Sequence, residues 1–135
     1  MQDRRDFLKT TAVTASLLAI SSLPRSAKAA DLKFKNIIYT QDDVGRWDGK
    51  QATHVPQVAV KGLKVSVVTK HPMSEEHFIV RHTLVLANGT YIGGKTFTPK
   101  DKPESEYDLP AGYKGKFYVT SFCNLHDFWL AEATV

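Results

Sequence analysis

Asn88-Gly89 lies between two apolar runs in FIVRHTLVLANGTYIGGKTF, residues 78–97. An Asn-Gly pair tolerates the positive φ angles of a tight hairpin turn, so the flanking runs are expected to be paired antiparallel strands. Other segments match that pattern. LKFKNIIYT (32–40) and LKVSVVTK (63–70) are rich in β-branched residues and alternate over part of their length, and GKFYVTSFC (115–123) and FWLAEATV (128–135) supply the last two strands. No stretch of ten or more residues carries a helical period. Short strands separated by turn signals predict an all-β sandwich or barrel. PKDKPESEYDLPAG (99–112) is polar and proline-containing, and is expected to be an exposed loop. Asn88-Gly89-Thr90 also fits a glycosylation sequon, but a hairpin turn needs no such explanation.

The first thirty residues are set apart from this pattern. DRRDFLK (3–9) holds an arginine pair followed by Phe7, Leu8 and Lys9; next come the uncharged TTAVTASLLAISSLP and the small-residue SAKAA. A charged start, a short apolar stretch and an A-x-A end describe an export signal, and the arginine pair points to the twin-arginine route. The apolar run is shorter than the roughly 20 residues of a spanning helix and carries several Thr and Ser, which disfavours an anchor. Residues 1–30 are thus expected to be cleaved near Ala29 or Ala30, leaving 31–135 as one periplasmic domain without a stable membrane anchor. Five of the 18 basic and two of the 14 acidic residues lie in the signal, so the remainder is nearly neutral, at 13 against 12. That balance gives no electrostatic footprint for nucleic acid.

Cys123 is the single cysteine, so an exported chain of this kind has no internal disulfide partner for it. His126 follows three residues later, and a C-x-x-H turn can bring thiolate and imidazole towards one point, a donor pair suited to Zn, Cu or Fe. HPMSEEH (71–77) places His71 and His77 six positions apart, about 20 Å if extended. Binding one ion together would require a compact turn, which Pro72 and Ser74 permit. In the following strand Phe78, Val80, Leu84 and Leu86 share a face with His82, so His82 reads as a core histidine and His77 points the other way. His54, ahead of Pro56, reads equally well as a strand cap or as a ligand. The acidic residues show no triad pattern that would make Cys123 a hydrolase nucleophile.

Taken in order, His54-Val55-Pro56, His71-Pro72-Met73 with His77, and Cys123-Asn124-Leu125-His126 with Trp129 resemble the superoxide reductase family of neelaredoxin and the iron domain of desulfoferrodoxin. The resemblance runs from about Ala52 to Thr134. It implies a seven-stranded immunoglobulin-like β-sandwich and a mononuclear non-haem iron, Fe2+/Fe3+, held by four equatorial imidazoles and an axial thiolate. The implied imidazoles are His54, His71, His77 and His126, with His126 using Nδ1 and the others Nε2; the thiolate is Cys123. Backbone N–H groups of Leu125 and His126 are placed to hydrogen-bond its sulfur. The implied reaction reduces superoxide to hydrogen peroxide with electrons from an external donor. No four-cysteine rubredoxin-like centre precedes the domain, so the one-iron form is expected; relatives of this fold form homo-oligomers.

The chain departs from the family ahead of the first histidine. Where the family has Glu-Lys, this sequence has Ala52-Thr53. Ala52 offers no ligand atom. Thr53 removes a charge that attracts superoxide, although its hydroxyl can orient a water. Lys50, four residues before His54, is the candidate substitute for that charge, whose loss could slow a steered encounter by 10-fold or more. Two other readings stand beside the enzyme: an iron protein of the same fold that senses redox state or passes electrons, and a cupredoxin-like copper protein. Copper sites of that kind use two His, one Cys and a weak axial Met after the cysteine, and no methionine follows Met73 here. Trp129 and Phe128 are read as shielding for the metal rather than a docking surface.

Overall fold

A computed structural model describes residues 34–135, and the expected export signal lies outside them. The described chain forms eight strands: β1 (Ile38–Tyr39), β2 (Gln57–Lys61), β3 (Lys64–Val68), β4 (Ile79–Leu86), β5 (Tyr91–Thr96), β6 (Glu104–Asp108), β7 (Lys116–Cys123) and β8 (Asp127–Thr134). A 3-10 turn at Gly45–Trp47 and a one-turn helix α1 (Gln51–His54) precede β2. Five strands build one sheet in the order β1-β8-β7-β4-β5, and three build the other, β2-β3-β6. All pairs are antiparallel except β1 with β8. Among the described residues no helix is long and apolar enough to cross a membrane.

The main core lies between the sheets, where alternate residues of facing strands meet: Val65 and Val67, Leu84 and Leu86, Tyr107 and Leu109, Phe117 and Val119. The β4–β5 turn is the expected hairpin, with Gly89 at φ 90° and the Asn88 side chain accepting the Thr90 N–H at 3.0 Å. The sandwich agrees with the sequence reading; the eighth strand is the two-residue β1.

Three local expectations are corrected. Segment 99–112 is not all loop, because Glu104–Asp108 pair as β6 with β3 and turn Ser105 and Tyr107 inward between charged neighbours. Its alternation was masked by Glu and Asp, which suit the solvent face of an edge strand. Of segment 32–40, the described residues 34–40 form a strand only at Ile38–Tyr39; Asn36 takes φ 65° in the turn before β1. In β4 the inward set is Ile79, His82, Leu84 and Leu86, not one that begins with Phe78 and Val80. A register shift against β7 between Ile79 and Arg81 inserts one residue and flips the parity. That bulge sets Ile79 opposite Cys123, so the β7 end meets the loop that carries His71 and His77. β2 carries no alternation in the sequence, because its Val58 and Ala59 sit on a mostly exposed edge.

Candidate metal centre

Five potential donor side chains arrive from three places. His54 ends α1, His71 and His77 sit in the β3–β4 connection, and Cys123 and His126 flank the β7–β8 turn. The connection folds back as its composition allows. Ser74 and His77 exchange backbone hydrogen bonds, and the Ser74 hydroxyl accepts the His77 N–H at 3.1 Å. The His71 and His77 Nε2 atoms are thereby brought to 3.0 Å. Asn124 fastens this loop to the β7–β8 turn: its side-chain oxygen accepts from Phe78 N and its amide donates to Glu76 O, each at 3.0 Å.

The four imidazoles form a pinwheel. Neighbouring ring centroids, in the order His54, His71, His77, His126 and back, lie 4.6, 4.3, 4.8 and 4.8 Å apart, with steep interplanar angles of 64–88°. The diagonal pair His54–His77 is more nearly parallel, at 29°. The inward atoms are Nδ1 of His126 and Nε2 of the other three. His126 Nδ1 lies 3.1 Å from His54 Nε2 and 3.0 Å from His77 Nε2, which is itself 3.0 Å from His71 Nε2. One ring nitrogen has one in-plane proton or lone pair, so a nitrogen with several such neighbours is aimed at a shared point rather than hydrogen-bonded to each. Three sides of this ring of nitrogens measure 3.0–3.1 Å, and a square of that side would put its centre about 2.1 Å from each corner, an ordinary metal–imidazole distance. Cys123 Sγ stands off this square, 3.2 Å from His77, 3.6 Å from His126 and 4.0 Å from His71. His54, His77, Cys123 and His126 thus offer donor atoms all within 4.8 Å of one another, with His71 adjoining through His77, a set that fits one transition-metal ion.

Electrostatics prepare the same atoms. Burial pushes His54 and His71 down to about 4, outweighing the Lys50 carbonyl's support for protonated His54. Burial also lowers His77 and His126. The imidazoles are thus neutral near pH 7, as metal ligands must be. Lys50 O and the Thr53 hydroxyl both lie 2.9 Å from His54 Nδ1. Donation from Nδ1–H to that carbonyl leaves the Nε2 lone pair facing inward. Burial raises the Cys123 thiol, opposed by hydrogen bonds to the sulfur from the Leu125 and His126 N–H groups. A cation in the square would tip that balance to thiolate.

The structure brings donor atoms of His54, His77, Cys123 and His126 within 4.8 Å of one another, sets His71 beside them through His77 at 3.0 Å, and leaves His82 apart. His82 is fully buried between hydroxyls, Thr69 Oγ1 on Nε2 and Ser105 Oγ on Nδ1, each at 2.8 Å. The Thr53 hydroxyl lies against His54 Nδ1 at 2.9 Å and donates to Lys50 O. Ala52 is an exposed methyl on α1. The aromatics separate, as neighbours on a strand must. Trp129 is buried beside His54, with centroids 5.5 Å apart, and its indole N–H donates to His126 O at 2.9 Å. Phe128 instead faces solvent, stacked on Phe122, so it does not shield the donors. Sequence reasoning missed Arg46, Trp47 and Asp127. Trp47 packs edge-on against the His126 ring at 4.6 Å, and no local motif marks a contact spanning some eighty residues.

A sandwich with this cluster at the end of its larger sheet defines a metalloprotein class of β-sandwich. The chain belongs to the desulfoferrodoxin family, whose profile matches residues 46–132 and so takes in all five donors. The desulfoferrodoxin of Nitratidesulfovibrio vulgaris is 38% identical over 92 residues, 66% of this chain and 69% of that protein. The superoxide reductase of Pyrococcus abyssi is 30% identical over 103 residues, 65% of this chain and 90% of that one. Among solved structures, a variant of superoxide reductase (neelaredoxin) from Ignicoccus hospitalis superposes with a TM-score of 0.68 at 28% identity, covering 76% of this chain and 95% of the other.

Proposed function

We propose that this chain reduces superoxide to hydrogen peroxide at a single iron that His54, His71, His77, His126 and Cys123 would hold, with electrons from an external donor. The observation that carries this reading is the imidazole pinwheel with one sulfur off its plane. Four imidazoles exceed what a trigonal copper site uses, and Met73 Sδ is occupied as acceptor of the Ile79 N–H at 3.3 Å. Bound iron would supply one exchangeable electron.

The remaining work falls to the chain. Each superoxide needs one electron and two protons to become hydrogen peroxide. After burial, the Lys50 ammonium further opposes protonation of His71, His77 and His126, so its positive charge reaches the rings. Lys50 is exposed and free to draw in a small anion and offer an Nζ proton. The Leu125 and His126 N–H groups hold negative charge on Cys123 Sγ. Trp129 keeps water from the His54 side. Residues 1–30 are proposed to deliver the protein to the periplasm by the twin-arginine route; N-terminal sequencing of the periplasmic form tests this.

A second reading, an iron protein of the same fold that passes electrons or senses redox state, is favoured by Ala52 and by the commitment of the Thr53 hydroxyl to His54. One experiment divides the two. Anaerobic iron-loaded protein should show, once oxidised, a thiolate-to-iron charge-transfer band that is lost in Cys123→Ser. Pulse-radiolytic mixing with superoxide should then oxidise the reduced iron rapidly and yield hydrogen peroxide without dioxygen. The band without rapid oxidation leaves the second reading; absence of the band rejects both.

A further inference from the structure

Residues 41–53 cross the outside of the sandwich as a strap in which no residue is buried until His54. A candidate donor thus hangs from a thirteen-residue segment of exposed and half-buried residues, whereas Cys123 ends a strand paired on both sides. The strap's hydrogen bonds to the β7–β8 hairpin end on one atom. Asp127 Oδ2 accepts from Arg46 Nη2 at 2.6 Å and from the Trp47 indole N–H at 3.1 Å. Arg46 also sits over the Trp47 ring, 4.8 Å from its centroid. Trp47 in turn lies edge-on against His126.

Two backbone features support this arrangement. Asp127 takes φ 66°, a left-handed conformation that costs an L-residue about 1–2 kcal/mol, directly after His126. Gly45 opens the 3-10 turn at φ 49°, where a Cβ would come within 2.7 Å of the Tyr39 ring. The Arg46–Asp127 pair is exposed on both sides, at 65% and 39%, so its value as an ion pair is small. Its geometry matters more than its energy: one carboxylate joins the strap bearing His54 to the turn bearing Cys123 and His126.

We propose that Asp127 is a positioning residue, whose carboxylate holds the strap through Trp47 and Arg46 and braces the His126 ring, so that His54 and His126 close the donor square. The part concerning the metal rests on the function proposed above; the part concerning the strap does not. Asp127→Gly keeps the left-handed backbone without strain and removes the latch. Asp127→Asn keeps an oxygen for the Trp47 N–H. In metal-free full-length protein, amide exchange at Arg46, Trp47 and Asp48 should rise about 10-fold or more in Asp127→Gly, with β4 and β7 unchanged. With zinc(II) as probe, release to a chelator should quicken by about 10-fold or more, within the 10–100-fold usual for partners of metal ligands. Asp127→Asn should restore both to within about threefold of wild type. Unchanged exchange in Asp127→Gly, equal zinc release, or no recovery in Asp127→Asn would overturn the proposal. A wild-type chain that binds neither zinc nor iron would overturn the site assignment and the bracing of His126 with it, while amide exchange would still decide the strap.

Discussion

His54 and His82 are both buried, and burial pushes both down to about 4, yet they are arranged for different work. His82 spends each ring nitrogen on a hydroxyl and joins β4 of one sheet to Ser105 and Thr69 on the side of the other. Thr69 passes the chain on to Ser121 at 2.9 Å. His54 spends one nitrogen on Lys50 O and turns the other towards His126. A depressed pKa therefore does not distinguish a ligand from a core histidine. The inward nitrogen, crowded by other lone pairs instead of donors, does.

The widest separation between the two should come from truncating each. His54→Ala should weaken metal retention by more than about 100-fold, beyond what loss of an outer partner costs, and leave the fold intact. His82→Ala should keep the metal but destabilise the domain by about 2–4 kcal/mol, from a cavity and stranded hydroxyls. Metal content after chelation and urea unfolding read the two effects; metal loss in a folded His82→Ala would break the contrast.

Acidification sharpens it next. Above pH 6.5 a neutral His82 is the resting form in folded and unfolded chains alike. Below that, the unfolded chain binds a proton that burial refuses the folded one, so stability falls until about pH 4. Lys95 adds to the depression after burial. The loss should amount to about 3 kcal/mol, and it should be missing from the same titration of His82→Gln. A parallel slope in the variant would assign the pH dependence to the other histidines.

The smallest effects concern the surroundings of His54. Lys50→Met should slow the reaction with superoxide by about 10-fold and flatten its salt dependence. Thr53→Val should cost metal retention no more than about 1 kcal/mol, because Lys50 O remains for His54 Nδ1. A Thr53→Val effect on rate larger than that of Lys50→Met would return Thr53 to the chemistry.

Much of the sandwich was legible because strand pairing leaves a local mark. The Asn88-Gly89 turn and the alternation of β3, β7 and β8 are readable within windows of eight residues. β6 was not, because Glu104, Glu106 and Asp108 occupy its outer face and mimic a loop composition. The parity of β4 was not legible either. A bulge is fixed by what the neighbouring strand requires, and Ile79 must turn inward to meet Cys123. The donor residues were nameable from motif order, but their convergence depends on contacts between positions 46 to 72 residues apart, such as His77 with Cys123 and His126 with His54.

By itself the sequence determined the kinds of donor available, the turn between Cys123 and His126, and a chain that must pair as strands, because residue type and short-range spacing act within a few bonds. Only the tertiary structure decided that Thr53 lies against His54, that the charge of Lys50 reaches His71, His77 and His126, and that Asp127 ties the strap to the hairpin. Those are through-space relations, and a hydrogen bond or a charge acts over a few ångströms whatever the distance along the chain.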